Sequence, residues 1–123
     1  MMNLLIMKHD NLKDRTKIYA LRIIKLTEAL PKTRTGITIA NQLIRSGTSV
    51  GANYRSACRS RSEAEFISKL GIVIEEADES AFWIELIIES KLMKNNLVAP
   101  LLIETNEIIA IMTASQKKVK NKN

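Results

Sequence analysis

Apolar residues recur along this chain at steps of three and four, the period of helices that each bury one face. Four such segments cover nearly the whole sequence. The first spans about 11–30, with Ile18, Leu21, Ile24 and Leu26 as its apolar face and Pro31 as its stop. The second spans about 35–59, and Gly36, Ala40, Leu43, Gly47, Val50, Tyr54 and Ala57 form its seam. The small residues Ala40, Gly47 and Gly51 predict a close approach to a neighbouring helix, because glycine is otherwise a poor helix former.

The third segment spans about 62–91 and opens on the pattern of a capping box, Ser62 with Glu65. Ile67, Leu70, Ile74, Ala77, Ala81, Ile84 and Ile88 follow as its inner line. The fourth spans about 97–117, with Asn95-Asn96 as the turn before it and Pro100 in its first turn. Leu101, Thr105, Ile108 and Met112 mark its inner face, and the tail 117–123 is expected to fray. Short connections make sequential helices antiparallel neighbours. The expectation is an all-α, single-domain, up-down-up-down four-helix bundle over residues 1–123.

Composition agrees with that reading. Gly (4) and Pro (2) are too scarce for the many turns of an all-β fold. A single cysteine, Cys58, fits a reducing cytoplasm. The apolar start is too short for a signal peptide, and no run reaches the roughly 20 consecutive apolar residues of a membrane span.

Charge changes the picture more. Residues 1–62 hold 12 Lys/Arg against 3 Asp/Glu; residues 63–116 hold 3 against 10; the last seven residues add four lysines. A basic first half and an acidic second half point to an anionic partner or to self-association of opposite patches. On the second helix Arg45, Arg55 and Arg59 fall within about 80° of one another, opposite the seam. Asn41, Thr48, Ser49 and Ser56 share that side. Guanidinium groups beside hydroxyls and amides suit phosphate oxygens, so these arginines are candidates for nucleic-acid contact. The alternative is a solvated face, or ion pairs to the acidic third helix. Few aromatic residues are available for base stacking.

The third helix carries Glu75, Asp78, Glu79, Glu85 and Glu89 away from its seam. A di-iron bundle would need Glu-x-x-His pairs facing inward, and the only histidine, His9, stands outside the bundle pattern, so neither metal nor cofactor is expected. Phe82, Trp83 and Leu86, with Ile72, lie off the seam beside those acids and are candidates for an oligomer interface. Arg55, Arg59 and Arg61 stand near Cys58, yet no histidine base accompanies it, and a buried or half-buried structural thiol is expected. There is no P-loop, dinucleotide fingerprint or Ser/His/Asp set, so no catalytic site is expected.

The segment 42–57, QLIRSGTSVGANYRSA, has a specific character, and SEAEFISKLG (62–71), EEADESAFW (75–83) and ALRIIKL (20–26) accompany it. Together they resemble the four helix bundle protein family, also called the 23S rRNA intervening-sequence protein family. Its bacterial members are encoded in some cases within insertions in large-subunit ribosomal RNA genes. The resemblance covers about residues 10–116. It implies a left-handed up-down bundle that assembles as a ring, a homopentamer, with no enzymatic activity. It also implies a fold shared with the accessory proteins of diversity-generating retroelements, which engage nucleic acid and a reverse transcriptase through a basic surface. For this chain it implies RNA or DNA as a partner, with a reverse transcriptase as a partner by analogy of fold alone. The other reading is a protein-interaction scaffold whose charge asymmetry serves subunit assembly.

Overall fold

The computed structural model describes residues 2–122, with side chains for residues 11–122. It consists of four helices, α1 (Met2–Ala29), α2 (Arg34–Cys58), α3 (Glu63–Glu89) and α4 (Asn95–Lys120), with no strand among the described residues. Sequential helices pack along their lengths, and α1 meets α4 over a shorter stretch to close an up-down-up-down bundle. The side chain of His9 lies outside the described residues.

Local signals explain most boundaries. Thr33 caps α2 by accepting a hydrogen bond from the Gly36 amide. Ser62 caps α3 through the Glu65 amide at 3.1 Å, but Glu65 reaches back to the Arg61 amide rather than completing the box on Ser62. α3 ends in a Schellman motif: Lys91 takes φ 60°, its amide bonds Ile88 O, and the Leu92 amide bonds Ile87 O. α1 begins well before Asn11. α4 begins at Asn95, so Asn95 and Asn96 are helical rather than a turn, and Pro100 lies in the second turn. α4 also runs on to Lys120 rather than fraying at 117, because Lys117, Lys118 and Lys120 complement the negative end of its dipole.

The core is built from Tyr19, Ile23, Leu26 and Leu30 of α1, Leu43, Val50 and Tyr54 of α2, Leu70, Val73, Ala77, Ile84 and Ile87 of α3, and Val98, Leu101, Ile108 and Met112 of α4. The α2 and α4 lines match the periodicity. In α3 the inner line is shifted: Val73 and Ile87 are buried, while Ile74 and Ile88 pack at the flank. In α1 the expected face is wrong, since Ile18, Leu21 and Ile24 are exposed. Its true inner face includes Thr16 and Thr27, whose hydroxyls bond Leu12 O and Ile24 O and so enter the core with their polarity satisfied.

α4 is long and apolar enough, by length and composition alone, to cross a membrane, a test that core helices of soluble proteins also pass. Only Glu104 and Glu107 carry charge between Asn95 and Gln116, and the polar stretch 104–107 interrupts an otherwise apolar helix. In the bundle only 28% of that window is buried, so much of the apolar surface of α4 faces outward.

A polar layer crosses the middle of the core. The Tyr19 hydroxyl pairs with Thr105 Oγ1 at 2.6 Å, and Ser80 Oγ donates to Ser46 Oγ at 2.8 Å. Tyr19 also interacts with Ser80, so one residue from each helix joins the layer. Burial pushes the Tyr19 phenol up to about 12, against an ordinary value near 10. A raised folded-state value means that the stabilisation is complete below about pH 10 and is lost as pH climbs from about 10 toward 12. Phenolate absorbance should therefore show Tyr19 ionising together with loss of helical signal. In Tyr19→Phe, that part of the alkaline destabilisation should vanish.

Candidate nucleic-acid interface

The alternation of helix direction brings the start of α1, the end of α2, the start of α3 and the end of α4 to one end of the bundle. Three contacts fix this register. Gly51 lies against the Thr16 backbone, Lys69 Nζ donates to Ser56 Oγ at 3.0 Å, and Gln116 Nε2 donates to Ile67 O at 2.9 Å. That end collects Lys13 and Lys17 from α1, Arg55 and Arg59 from α2 and its cap, Arg61 from the turn, and Lys117, Lys118 and Lys120 from α4. Asp14 and Glu63 are exposed there, and Glu65 is held by Lys69 at 3.0 Å. Some of this charge serves the helices themselves, since Arg55 and the α4 lysines sit in last turns.

Lys13, Lys17 and Arg55 line a shallow groove of about 250 Å³ between α1 and α2. Its floor is Ala20, Gly51 and Ala52, and Thr48 adds a hydroxyl. The small residues leave the backbone open between the three cations. Among the described residues, none of these three cations is tied in an ion pair.

Two other arginines, Arg15 and Arg45, are committed to carboxylates. Arg45 points across to α3, pairing with Glu76 at 3.2 Å and with Glu79. The Glu79 carboxyl, held below its ordinary range, accepts from Trp83 Nε1 at 3.0 Å and from Arg45. Arg15 bridges α1 to α4 through Glu104 and Glu107, both at 2.7 Å; the Glu104 hydrogen bond raises the guanidinium and lowers its own carboxyl. The three arginines expected to act together on α2 are thus divided. Arg55 and Arg59 join the basic end, while Arg45 realises the ion-pair alternative with the acidic helix. Sequence reasoning missed Lys13 and Lys17 as their companions. The signal was present: cations at the start of α1 and the end of α2 must meet in an antiparallel pair.

The expected interface group also divides. Phe82 is exposed and meets Trp83 edge to face at 5.2 Å, whereas Trp83 and Leu86 pack partly against the core. Tyr19 and Tyr54 are buried, so neither can stack on bases. Glu75, Asp78, Glu85 and Glu89 are exposed, and no metal-binding cluster of three acids, histidines or cysteines occurs among the described residues. Cys58 is half-buried.

Residues 11–114 match the family model described as 23S rRNA-intervening sequence protein. Among solved structures, the chain is similar to a crystal structure of a protein of unknown function from the S23 ribosomal protein family of Bacteroides thetaiotaomicron VPI-5482. The two are 33% identical with a TM-score of 0.83, over 89% of this chain and 98% of that one. No curated protein matches.

Proposed function

Because the chain belongs to the 23S rRNA-intervening sequence protein family, we propose that it is a non-enzymatic, self-assembling module that binds RNA or DNA through the basic end of its bundle. The observation that carries this reading is the convergence of unpaired cations from α1 and α2 on one groove, while Arg15 and Arg45 are neutralised by carboxylates. Lys13, Lys17, Arg55 and Arg59 neutralise phosphates, and the lysines at the end of α4 extend the same field. With the aromatic residues withdrawn into the core or placed on α3, the contact reads the backbone and not the bases, so duplex DNA and structured RNA bind alike.

Assembly multiplies the effect. In a cyclic ring every copy presents its basic end on the same rim, and avidity rises without any new contact. A homopentamer is the ring that the family resemblance implies, and a reverse transcriptase as a further partner rests on analogy of fold alone.

A titration with labelled duplex DNA and with structured RNA at low salt tests the assignment of residues. Arg45→Ala should leave affinity close to wild type, because its charge is already spent on Glu76 and Glu79. Arg55→Ala/Arg59→Ala should weaken both ligands by a similar factor, roughly tenfold or more. Absence of binding by the wild type would favour the scaffold reading. Loss of binding on Arg45→Ala alone would move the interface to the middle of α2.

A further inference from the structure

Four of the nine exposed large apolar side chains among the described residues stand at one level of the bundle. Leu21, Ile44, Phe82 and Ile103 are exposed by 57%, 36%, 51% and 61%, one on each helix. Each lies two residues from the polar layer of Tyr19, Ser46, Ser80 and Thr105, at +2, −2, +2 and −2 in chain order. Because helix direction alternates, those offsets all displace the residue toward the same end, by about 3 Å. An offset of two also turns each side chain about 160° away from its core-facing neighbour. The four form an apolar belt at one level around the bundle. On α1 Leu21 is joined by Ile18 and Ile24, exposed by 58% and 37%, and α3 adds Ile72 at 42% to Phe82, so these two helices carry uncovered apolar faces.

The charges beside the belt say what covers it. Leu21 is flanked at i−4 and i+4 by Lys17 and Lys25, both exposed. Phe82 is flanked at i−4 and i+3 by Asp78 and Glu85, both exposed. Residues at these spacings share the outward face of their helix. One face of the molecule therefore offers lysine, leucine, lysine, and another offers acid, phenylalanine, acid. Two turns out from Leu21 stand Asp14 and Glu28; two turns out from Phe82 stand Glu75 and Glu89. Parallel helices in contact over four turns would set these like charges together, so the helices cross and touch over their central turns only.

We infer that the outward face of α1 centred on Leu21 in one copy docks on the outward face of α3 centred on Phe82 in the next. The contact is between unlike surfaces, with Lys25 of one copy against Glu85 of the other, while Lys17 stays with the groove it lines. Unlike-surface contacts leave one face of each type open at the ends of a chain of copies, and such an arrangement either closes into a ring or extends. The T-shaped contact with Trp83, itself held by Glu79, steadies the Phe82 ring in its exposed position. This inference rests on the self-assembly part of the proposed function and specifies its surfaces.

The test uses two variants of the full chain, Leu21→Glu and Phe82→Glu. Both side chains are more than half exposed, so the fold should persist, with helical circular dichroism as the check. Masses are measured by sedimentation at rising concentration. Wild type should assemble, and each variant alone should run at the monomer mass of 13.9 kDa. An equimolar mixture should form a 1:1 complex of twice that mass, because one intact α1 face then meets one intact α3 face. Leu97→Glu, exposed but outside the belt, should assemble as wild type does. A mixture that stays monomeric while wild type assembles would overturn the unlike-surface contact and leave self-assembly standing. Assembly of either variant alone at the wild-type mass would overturn it likewise. A monomeric wild type would overturn the self-assembly reading, and this inference with it.

Discussion

Gly47→Leu is expected to destabilise the bundle by about 1–3 kcal/mol or more, the cost of overpacking a filled core. A Cβ placed on Gly47 would stand 2.7 Å from the nearest carbon of Ile23, with two further Ile23 carbons within 3.0 Å. Ile23 is fully buried and has no solvent side to swing toward. The β-branch of isoleucine also restricts its rotamers, so α1 and α2 must separate. Gly51 is tight for a different reason, since its neighbour at 3.2 Å is the Thr16 backbone oxygen. Gly71 serves as the control. A Cβ there meets only the Gln116 side chain at an ordinary 3.5 Å, so Gly71→Ala should be neutral or gain up to about 1 kcal/mol of helix propensity. Urea unfolding followed by circular dichroism measures both. A Gly47→Leu midpoint equal to wild type would contradict the close packing of α1 on α2.

How much of this was legible in the sequence depends on the helix. The α2 seam could be read because its glycines and Leu43, Val50 and Tyr54 differ sharply from the polar residues around them, and α4 because its inner line stands at clean three and four steps. α1 was misread because a threonine that bonds its own backbone behaves as a core residue, while Ile18, Leu21 and Ile24 belong to a surface the isolated chain leaves uncovered. Periodicity counts apolar residues, and it cannot tell a buried stripe from an exposed one. The α3 to α4 turn was obscured in another way. It uses Lys91 in the left-handed region where glycine is the usual signal, and Asn95-Asn96 then continue as helix. The candidate site was half legible. Arg55 and Arg59 could be picked from their spacing, but Lys13 and Lys17 reach them only through the tertiary pairing of α1 with α2, and the Arg45 partners only through the pairing of α2 with α3.

The second large effect is on affinity for nucleic acid. Four cations, Lys13, Lys17, Arg55 and Arg59, stand at the basic end without carboxylate partners among the described residues. If each neutralises one phosphate of a duplex, the logarithm of affinity falls with the logarithm of salt at a slope of roughly −3.6. A fourfold rise in salt, from about 50 to about 200 mM, then weakens binding on the order of 100-fold. Removing all four charges takes away most of that slope, whereas removing Arg45 takes away none, because its guanidinium exchanges carboxylates for phosphates with no gain in released ions. Contributions from the α4 lysines raise the slope of both proteins equally and cancel in the difference. The measurement is therefore the salt slope of duplex-DNA binding for wild type and for the Lys13/Lys17/Arg55/Arg59→Ala variant, side by side. The account predicts slopes that differ by roughly three to four; equal slopes in the two proteins would contradict it.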